Sequence, residues 1–446
     1  MIDIETGKKT RPIRIAFITI GCRTNQADTS RMISSMPVPF ELIDLDNPGN
    51  TQCDFVVVNT CTVTSRADVD GRKAVRRAKK KFPDAKIIVT GCSAQINPSA
   101  WILMPEVDKV IGIKERDNLS ECLAIRSGEK SVVVGRPSGG VDGPPAISGH
   151  KSRPFLKIQD GCSRGCTYCI VPRARGPERS RTADRIIEDI ERLSNEGFRE
   201  IVLTGIHLGR WGIDLGENFQ TLLENLDRVK SDVRIRLSSI EPMDLTPDLI
   251  QRIFSHRLIC PHLHIPLQSG DQAILDSMGR GHSIEHFTNL IDAIIKTRPD
   301  SAIGTDILIG FPGETNESFE ITASYVSSQP FTYLHIFSWS PREGTPASRM
   351  ANRPIGSSVT ERVKTLKGID LEKRKKFLNA NHGMKRPFLI ETPSVKSKKI
   401  TALSDNYVRV LAEGPKGRIA AGTIVSLIID INNESVFGMP AGKIPE

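Results

Sequence analysis

The chain has 446 residues, more than one ordinary hydrophobic core accommodates, so two or three domains are expected. Its 38% hydrophobic and 25% charged residues describe a globular, soluble protein and not a membrane-embedded one. A net charge of +9 suits a polyanionic partner such as RNA, although solubility alone asks for no less.

The opening "MIDIETGKKTRPIRIAFITIGC" places acidic residues ahead of basic ones, and its apolar run is only a strand's length before Gly21. Neither a signal peptide nor a membrane anchor is expected, and the protein is read as cytoplasmic. Nine cysteines in a reducing compartment point to metal ligands, catalytic thiols or core residues before disulfides. From 12 to 135, "IRIAFITI", "DFVVVNT", "KIIVT" and "DKVIGI" read as buried parallel strands, and "SRADVDGRKAVRRAKKKF" as a helix with Val75, Ala78 and Phe82 on its apolar side. The fold class is α/β, beginning with an open sheet domain. Residues 136–153, "RPSGGVDGPPAISGHKSR", have the composition of a linker.

From 154 to 380 a longer alternation gives six strand candidates: "FLKIQ", "EIVLTGI", "VRIRLSSI", "LICPHLHI", "AIGTDILIG" and "TYLHIFSW". Six βα units in one run predict a partial (β/α)6 barrel. A basic helix, "LEKRKKFLNANHG", connects it to the last segment and should stop near Gly383. From 381 to 444 the short runs "FLIET", "NYVRVLA", "TIVSLIIDI" and "SVFGM" predict a small antiparallel β-barrel.

"GCSRGCTYCIVPRARG" spaces Cys162, Cys166 and Cys169 as C-x3-C-x2-C with no fourth cysteine nearby. Structural zinc sites take four ligands, usually from two paired knuckles, and nothing after Cys169 supplies the second pair. A cubane iron–sulfur cluster held by three thiolates keeps one iron open, and an open iron is a place for chemistry. The plain alternative is a closed metal knob or three unrelated thiols. The spacing, and its position after the first strand of a barrel, resemble the radical S-adenosylmethionine superfamily. That resemblance implies S-adenosylmethionine on the open iron of a 4Fe-4S cluster, with later strand ends holding the rest of the cofactor. Gly205 in "TGIHLG", Ser238 and Glu241 in "LSSIEP", Gln268 in "HIPLQSG" and Asp306 in "GTDILIGFPGET" are the candidate contacts. "TGIHLG" stands where the superfamily usually has Gly-Gly-Glu, so a contact there would come from backbone. The glycines could equally be strand-to-helix turns, and His262 and His264 satisfied core residues.

Cys22, Cys61 and Cys92 each follow the C-terminal end of an expected parallel strand, where an open α/β sheet gathers its ligands. Three residues remote in sequence could therefore converge, although buried thiols in a glycine-punctuated core would read the same way. Cys53, Cys122 and Cys260 lack such placement and read as core or surface thiols. Taken with "GCRTNQAD", "NTCTVTSRAD", "TGCSAQ", "KIQDGCSRGCTYCIVPRARGPERSR", "HIPLQSG" and "FSWSPREGTPA", nearly the whole chain resembles the methylthiotransferase family of radical S-adenosylmethionine enzymes. The last segment is similar to that family's RNA-binding TRAM barrel.

The resemblance implies two 4Fe-4S clusters, one on Cys162, Cys166 and Cys169 that makes the radical and one on Cys22, Cys61 and Cys92 that delivers sulfur. It also implies S-adenosylmethionine as methyl donor and as radical source, and an electron donor such as flavodoxin or ferredoxin; the sulfur source stays open. "NTCTVTSRAD", "IVPRARG" and "LTGIHLGRWG" are most similar to members acting on threonylcarbamoyladenosine at position 37, in the tRNA anticodon stem-loop. Members acting on isopentenyladenosine in tRNA, or on an aspartate of a ribosomal protein, are the alternatives, and a noncatalytic iron–sulfur RNA-binding protein is the remote one. Two departures from the family pattern are Ser93, where tyrosine is frequent, and Asp271, where a small residue is common. Arg72, Lys73, Arg76, Arg77 and Lys79 to Lys81 on one helix, and Lys373 to Lys376, Lys385 and Arg386 before the last barrel, are candidate phosphate contacts or simply solvated faces. Tyr407 could stack on RNA or pack the small barrel's core.

Overall fold

In the computed structural model, which describes residues 11–36, 39–45, 52–123, 129–138, 140, 141, 143, 152–392, 399–413, 422–432 and 435–440, the β-branched runs of the first third form one parallel sheet. Its strands are β1 (Ile13–Thr19), β2 (Phe40–Leu42), β3 (Phe55–Thr60), β4 (Lys86–Gly91), β5 (Lys109–Ile111) and β6 (Ser131–Val133), in the order β2-β1-β3-β4-β5-β6. Val56 to Val58 and Ile87 to Val89 have no exposed surface, as expected of strands covered on both faces. Helices α1 (Arg23–Ser34), α2 (Ser65–Lys81), α3 (Cys92–Ile96), α4 (Pro98–Ile102) and α5 (Leu119–Cys122) accompany them. Helix α2 starts where the Thr64 side chain accepts from Ala67 N, and it buries Gly71, Val75 and Ala78 against the sheet. Edge strands β2 and β6 were not expected from the sequence; three residues each, with much of their surface exposed, they carry no readable periodicity.

Most of the expected linker, at 139, 142 and 144–151, lies outside the described residues. Two segments of the cysteine loop, Asp160–Arg164 and Cys169–Arg179, belong to the same compact unit as this sheet, including α6 (Val171–Arg175). The loop is bracketed by a two-stranded pair, β8 (Gln159–Asp160) with β9 (Arg179–Ser180), just after β7 (Phe155–Lys157).

The second unit carries 152–159, 165–168 and the described residues from Ser180 onward. Strands β7, β10 (Glu200–Thr204) and β11 (Arg234–Leu237) form one parallel sheet, and β12 (His262–His264), β13 (Ala302–Ile309) and β14 (Tyr333–Ser338) another. Bridges Ile235 to Ile259 and Ser239 to His264 join them into the expected six-stranded partial barrel. One face of each strand (Ile201, Leu203, Ile235, Leu237, Ile303, Ile307) packs with apolar residues of the covering helices α7 (Ala183–Asn195), α8 (Phe219–Asn225), α9 (Pro247–Ser255), α11 (Ile284–Thr297) and α12 (Asn316–Ser328), while α10 (Gln272–Met278) follows β12. By the two-residue period of a strand, Glu200, Arg236, His262, His264, Asp306, Tyr333 and His335 take the other face.

Helix α13 (Gly356–Asn381) ends before Gly383, whose φ of +76° suits only glycine without strain. Beyond it β15 (Lys385–Thr392), β16 (Lys399–Ser404), β17 (Arg409–Glu413), β18 (Ile424–Asn432) and β19 (Ser435–Pro440) close a barrel in the order β15-β16-β17-β19-β18. Phe388, Ile390, Ala402, Val410, Leu427 and Ile429 fill it. Strand β16, "KITALS", was not anticipated, and the β17–β19 closure is parallel where an all-antiparallel barrel was expected. The small barrel is fastened to the larger one through backbone acceptors. Arg234 donates to Pro387 O and Leu403 O, Arg236 to Ser404 O and Asp405 O, at 2.9–3.0 Å. No helix among the described residues is long and apolar enough to cross a membrane.

Candidate functional site

Three adjacent strands of the N-terminal sheet deliver three cysteines to one edge. Cys22 caps α1 just after β1, Cys61 follows β3, and Cys92 opens α3 after β4. Gly21 (φ +104°) makes the approach possible: a Cβ there would lie 2.4 Å from Cys61 Cβ and 2.7 Å from its Sγ. Cys61 and Cys92 are buried and Cys22 is exposed. Burial pushes the Cys61 thiol up to about 12, and Cys92 and Cys22 beside it add to the shift. Burial likewise raises Cys92, against the opposing pull of Arg175. Three sulfur donors brought to neighbouring strand ends, two of them buried away from water, fit a thiolate-bound metal cluster.

Arg175 stands against them. Its guanidinium donates to both oxygens of Asp160 at 2.9 Å, to Asn25 Oδ1 at 2.6 Å and to Asp28 Oδ2 at 2.9 Å, and it reaches the Cys92 thiol. Asp160 lies two residues before Cys162, so this one side chain ties the loop of Cys162 and Cys169 to the cysteine-bearing strand ends. Within that loop Cys162 N donates to Gly176 O, and Arg164 N to Cys162 Sγ at 3.4 Å.

Cys166 sits in the second unit among different neighbours. Thr167 is pinned by its N and Oγ1 to Met278 O and Ser277 O, and its own carbonyl accepts from Ala347 N. Tyr168 packs edge-on to Phe311, ring centroids 6.4 Å apart, beside Leu308 and Met278. The buried Arg280 places Nη1 3.7 Å from Cys166 Sγ and 3.5 Å from the Tyr168 hydroxyl, and it also donates to Glu241 and to Pro266 O.

The remaining sequence candidates fall at or near the C-terminal ends of the barrel strands. Gly205 follows β10, where a Cβ would lie 3.0 Å from the Gln159 side chain, so any larger residue would have to push Gln159 aside by a few tenths of an ångström. Ser238 follows β11; its Oγ is buried without a hydrogen-bond partner among the described residues, as a hydroxyl awaiting a ligand would be. Glu241 is engaged by Arg280. Gln268 has φ +79°, a strained conformation held by backbone bonds to Asp306 O and Leu308 N on β13. Asp306 Oδ1 accepts from His264 Nε2 at 2.8 Å and lies 3.3 Å from His335 Nδ1; burial opposes its ionisation, but His264 and then His335 hold the carboxyl below the usual range. His264 and His262 share the Tyr333 hydroxyl, at 3.1 and 2.9 Å.

For several residues the structure decides what the sequence left open. Tyr407 (φ +73°) stacks on His262, ring centroids 4.2 Å apart, under the Arg236 guanidinium at 5.2 Å, so it packs and does not offer a free face to RNA. Cys53, Cys122 and Cys260 are core thiols. Arg386 is buried between Asp405 and Asp300, and Lys373 donates to Ser327 O and Gln329 O, so neither is a free phosphate contact. On α2, Arg72, Lys73, Arg76, Arg77, Lys80 and Lys81 stay exposed. The two departures have local causes: Ser93 Oγ donates to Asp68 and accepts from Trp101 Nε1, and Asp271 caps α10. Arg175, Asn25, Asp28 and Arg280 were not singled out from the sequence, where nothing distinguishes a buried arginine from the 61 basic residues in all.

Two family profiles match, one described as Radical SAM superfamily over residues 156–326 and one as Uncharacterized protein family UPF0004 over residues 14–112. A protein of Aquifex aeolicus named threonylcarbamoyladenosine tRNA methylthiotransferase MtaB is 36% identical over 424 residues, 94% of this chain and 100% of its own. One of Lachnoclostridium phytofermentans named tRNA-2-methylthio-N(6)-dimethylallyladenosine synthase is 32% identical, over 94% and 93%. Among solved structures, the radical S-adenosylmethionine methyltransferase TsrM of Kitasatospora setae shares the fold, with a TM-score of 0.56 at 14% identity over 75% of each chain.

Proposed function

The chain belongs to the family of radical S-adenosylmethionine methylthiotransferases, and we propose that it inserts a methylthio group at C2 of threonylcarbamoyladenosine at position 37 of tRNA. The observation that carries this reading is the gathering of Cys22, Cys61 and Cys92 at three neighbouring strand ends, in a chain whose barrel loop holds a second three-cysteine set. In this reading each set holds one 4Fe-4S cluster. When bound, the cluster of Cys162, Cys166 and Cys169 supplies the electron that cleaves S-adenosylmethionine, and that of Cys22, Cys61 and Cys92 supplies the sulfur.

The protein's own residues do the positioning. Arg280, salt-bridged to Glu241 and touching Cys166 and Tyr168, fixes the centre of the cysteine loop and places positive charge beside its sulfur. Ser238 Oγ and the Gly205 turn offer S-adenosylmethionine a hydroxyl and a backbone edge. Gln268, in its strained conformation, and Glu241, oriented by Arg280, complete the proposed cofactor contacts. Asp306 takes part through its two histidines: with its carboxylate held between them, it orients His335, whose ring stays partly exposed.

A base in the single-stranded anticodon loop can leave its stack without opening a duplex, so the anticodon stem-loop is the proposed macromolecular partner. The exposed basic face of α2 would meet its phosphates, and a flavodoxin- or ferredoxin-type protein would deliver electrons. The identity to the Aquifex aeolicus protein favours threonylcarbamoyladenosine; that to the Lachnoclostridium phytofermentans protein favours dimethylallyladenosine as the second reading. The deciding experiment is nucleoside mass spectrometry on the two modified tRNAs after anaerobic incubation with reconstituted protein, S-adenosylmethionine, sulfide and reductant. A methylthio gain on threonylcarbamoyladenosine is expected. Gain only on the other nucleoside would transfer the assignment to it, and cleavage of S-adenosylmethionine without gain on either would move it to a ribosomal protein.

A further inference from the structure

Arg175 is wholly buried at the end of α6, and so are the four residues bound up with it: Asn25, Asp28, Asp160 and Arg116. Asp28 bridges the two guanidiniums, 2.9 Å from Arg175 and 2.7 Å from Arg116. Buried ion pairs of this kind are weak contributors to stability, because desolvation consumes most of their attraction. Their geometry here has a direction. Asp160, Asp28 and Asn25 hold the Arg175 fork, which hydrogen-bonds the Cys92 thiol, and Ala174 beside it in the chain packs in one buried cluster with Cys92.

We propose that Arg175 is a positioning residue that holds a fixed positive charge against the Cys22, Cys61 and Cys92 set and thereby raises the reduction potential of the cluster bound there, with Asp28 moderating that charge. The inference rests on the two-cluster reading above. Reduction adds one negative charge to a cluster, and net charge and hydrogen bonds to its sulfurs are what tune its potential. A guanidinium locked in a dry site favours the reduced state, and removal of its acidic neighbour favours it further.

The test uses the full chain carrying Cys162→Ala, Cys166→Ala and Cys169→Ala, so that only the second cluster remains, reconstituted and titrated by EPR-monitored redox potentiometry with iron and sulfide quantified. At the parent's midpoint, Arg175→Gln should lower the reduced-to-oxidised ratio at least tenfold, a shift of about 59 mV for one electron. Arg175→Lys, which keeps the charge, should lower it less than threefold, and Asp28→Asn should raise it. A purely structural role would change iron content and leave the potential of the loaded fraction alone. Ratios within twofold of the parent in Arg175→Gln and Asp28→Asn at full iron content would overturn the proposal, as would shifts of the same sign. If Arg175→Gln takes up no iron, the sign of the Asp28→Asn shift decides. A parent that binds no cluster would sink the two-cluster reading itself, an outcome distinct from a cluster indifferent to Arg175.

Discussion

Replacing Glu200 by glutamine removes one charge from a site that holds three guanidiniums. Glu200 is fully buried on β10 and accepts from Arg236 at 2.8 and 3.2 Å, from Arg234 at 2.6 Å and from Arg153 at 3.3 Å. Loss of one partner from a buried ion pair costs about 3–5 kcal/mol. The lower end applies, because Arg234 and Arg236 keep the carbonyls of Pro387, Leu403, Ser404 and Asp405 as acceptors. About 3 kcal/mol is roughly a hundredfold in a local opening constant. Cys260 is the natural reporter, being buried beside Arg236 and Glu200, and its alkylation rate in native buffer, read by peptide mass spectrometry, should rise by about that factor. A rise below about fivefold, near 1 kcal/mol, would refute the reasoning. The same pair of proteins tests the pH dependence. Burial opposes the charge, but Arg236 and then Arg234 hold the Glu200 carboxyl below its ordinary value, so its stabilisation is complete above the unfolded pKa of about 4.3 and is lost as pH falls through the folded one. The difference between parent and variant should be constant from about pH 7 to 5 and shrink below about 4.3.

Cys61→Ala should reduce bound iron from about eight to about four atoms per chain, spare cleavage of S-adenosylmethionine and abolish methylthio insertion; product formed by the variant would refute the sulfur-delivery role. Tyr407→Ala should lower stability by about 2 kcal/mol through lost stacking on His262 and the lost cation–π contact with Arg236, seen as a lower urea midpoint, while tRNA affinity stays within about twofold. Weaker tRNA binding at unchanged stability would return the ring to RNA. Replacing Arg72, Lys73 and Lys80 together by glutamine should flatten the salt dependence of tRNA binding by about 2 in log–log slope, measured by filter binding. An unchanged slope would make the α2 face a merely solvated one.

The outline of the fold follows from local pattern. Continuous β-branched runs marked the inner strands of the N-terminal sheet, because strands covered on two faces need no polar alternation, whereas barrel strands such as "RIRL" and "HLH" alternate polar with apolar residues. Where pairing alone makes the strand, the pattern failed: "FEL" and "SVV" are three-residue edges, and "KITALS" alternates too weakly to be told from a loop. The parallel contact between β17 and β19 is invisible to any window of sequence, since it arises from how the barrel closes.

The candidate site divides in the same way. Spacing within eight residues exposes Cys162, Cys166 and Cys169, and strand ends expose Cys22, Cys61 and Cys92, because both signals are local or repeat one local placement. Which arginines stand beside them depends on contacts made across the chain: Arg175 reaches Asp28 and Asn25 about 150 residues away, and Arg280 reaches Cys166 across 114. A basic side chain in a chain with 61 of them carries no mark of burial, and neither do the aspartates that hold it. Tyr407 and Arg386 teach the reverse lesson, as residues of RNA-binding type whose neighbours turn them inward. Periodicity and spacing are properties of a short stretch and survive in one dimension; the sign and burial of a charge's surroundings are properties of packing, and only the folded chain assigns them.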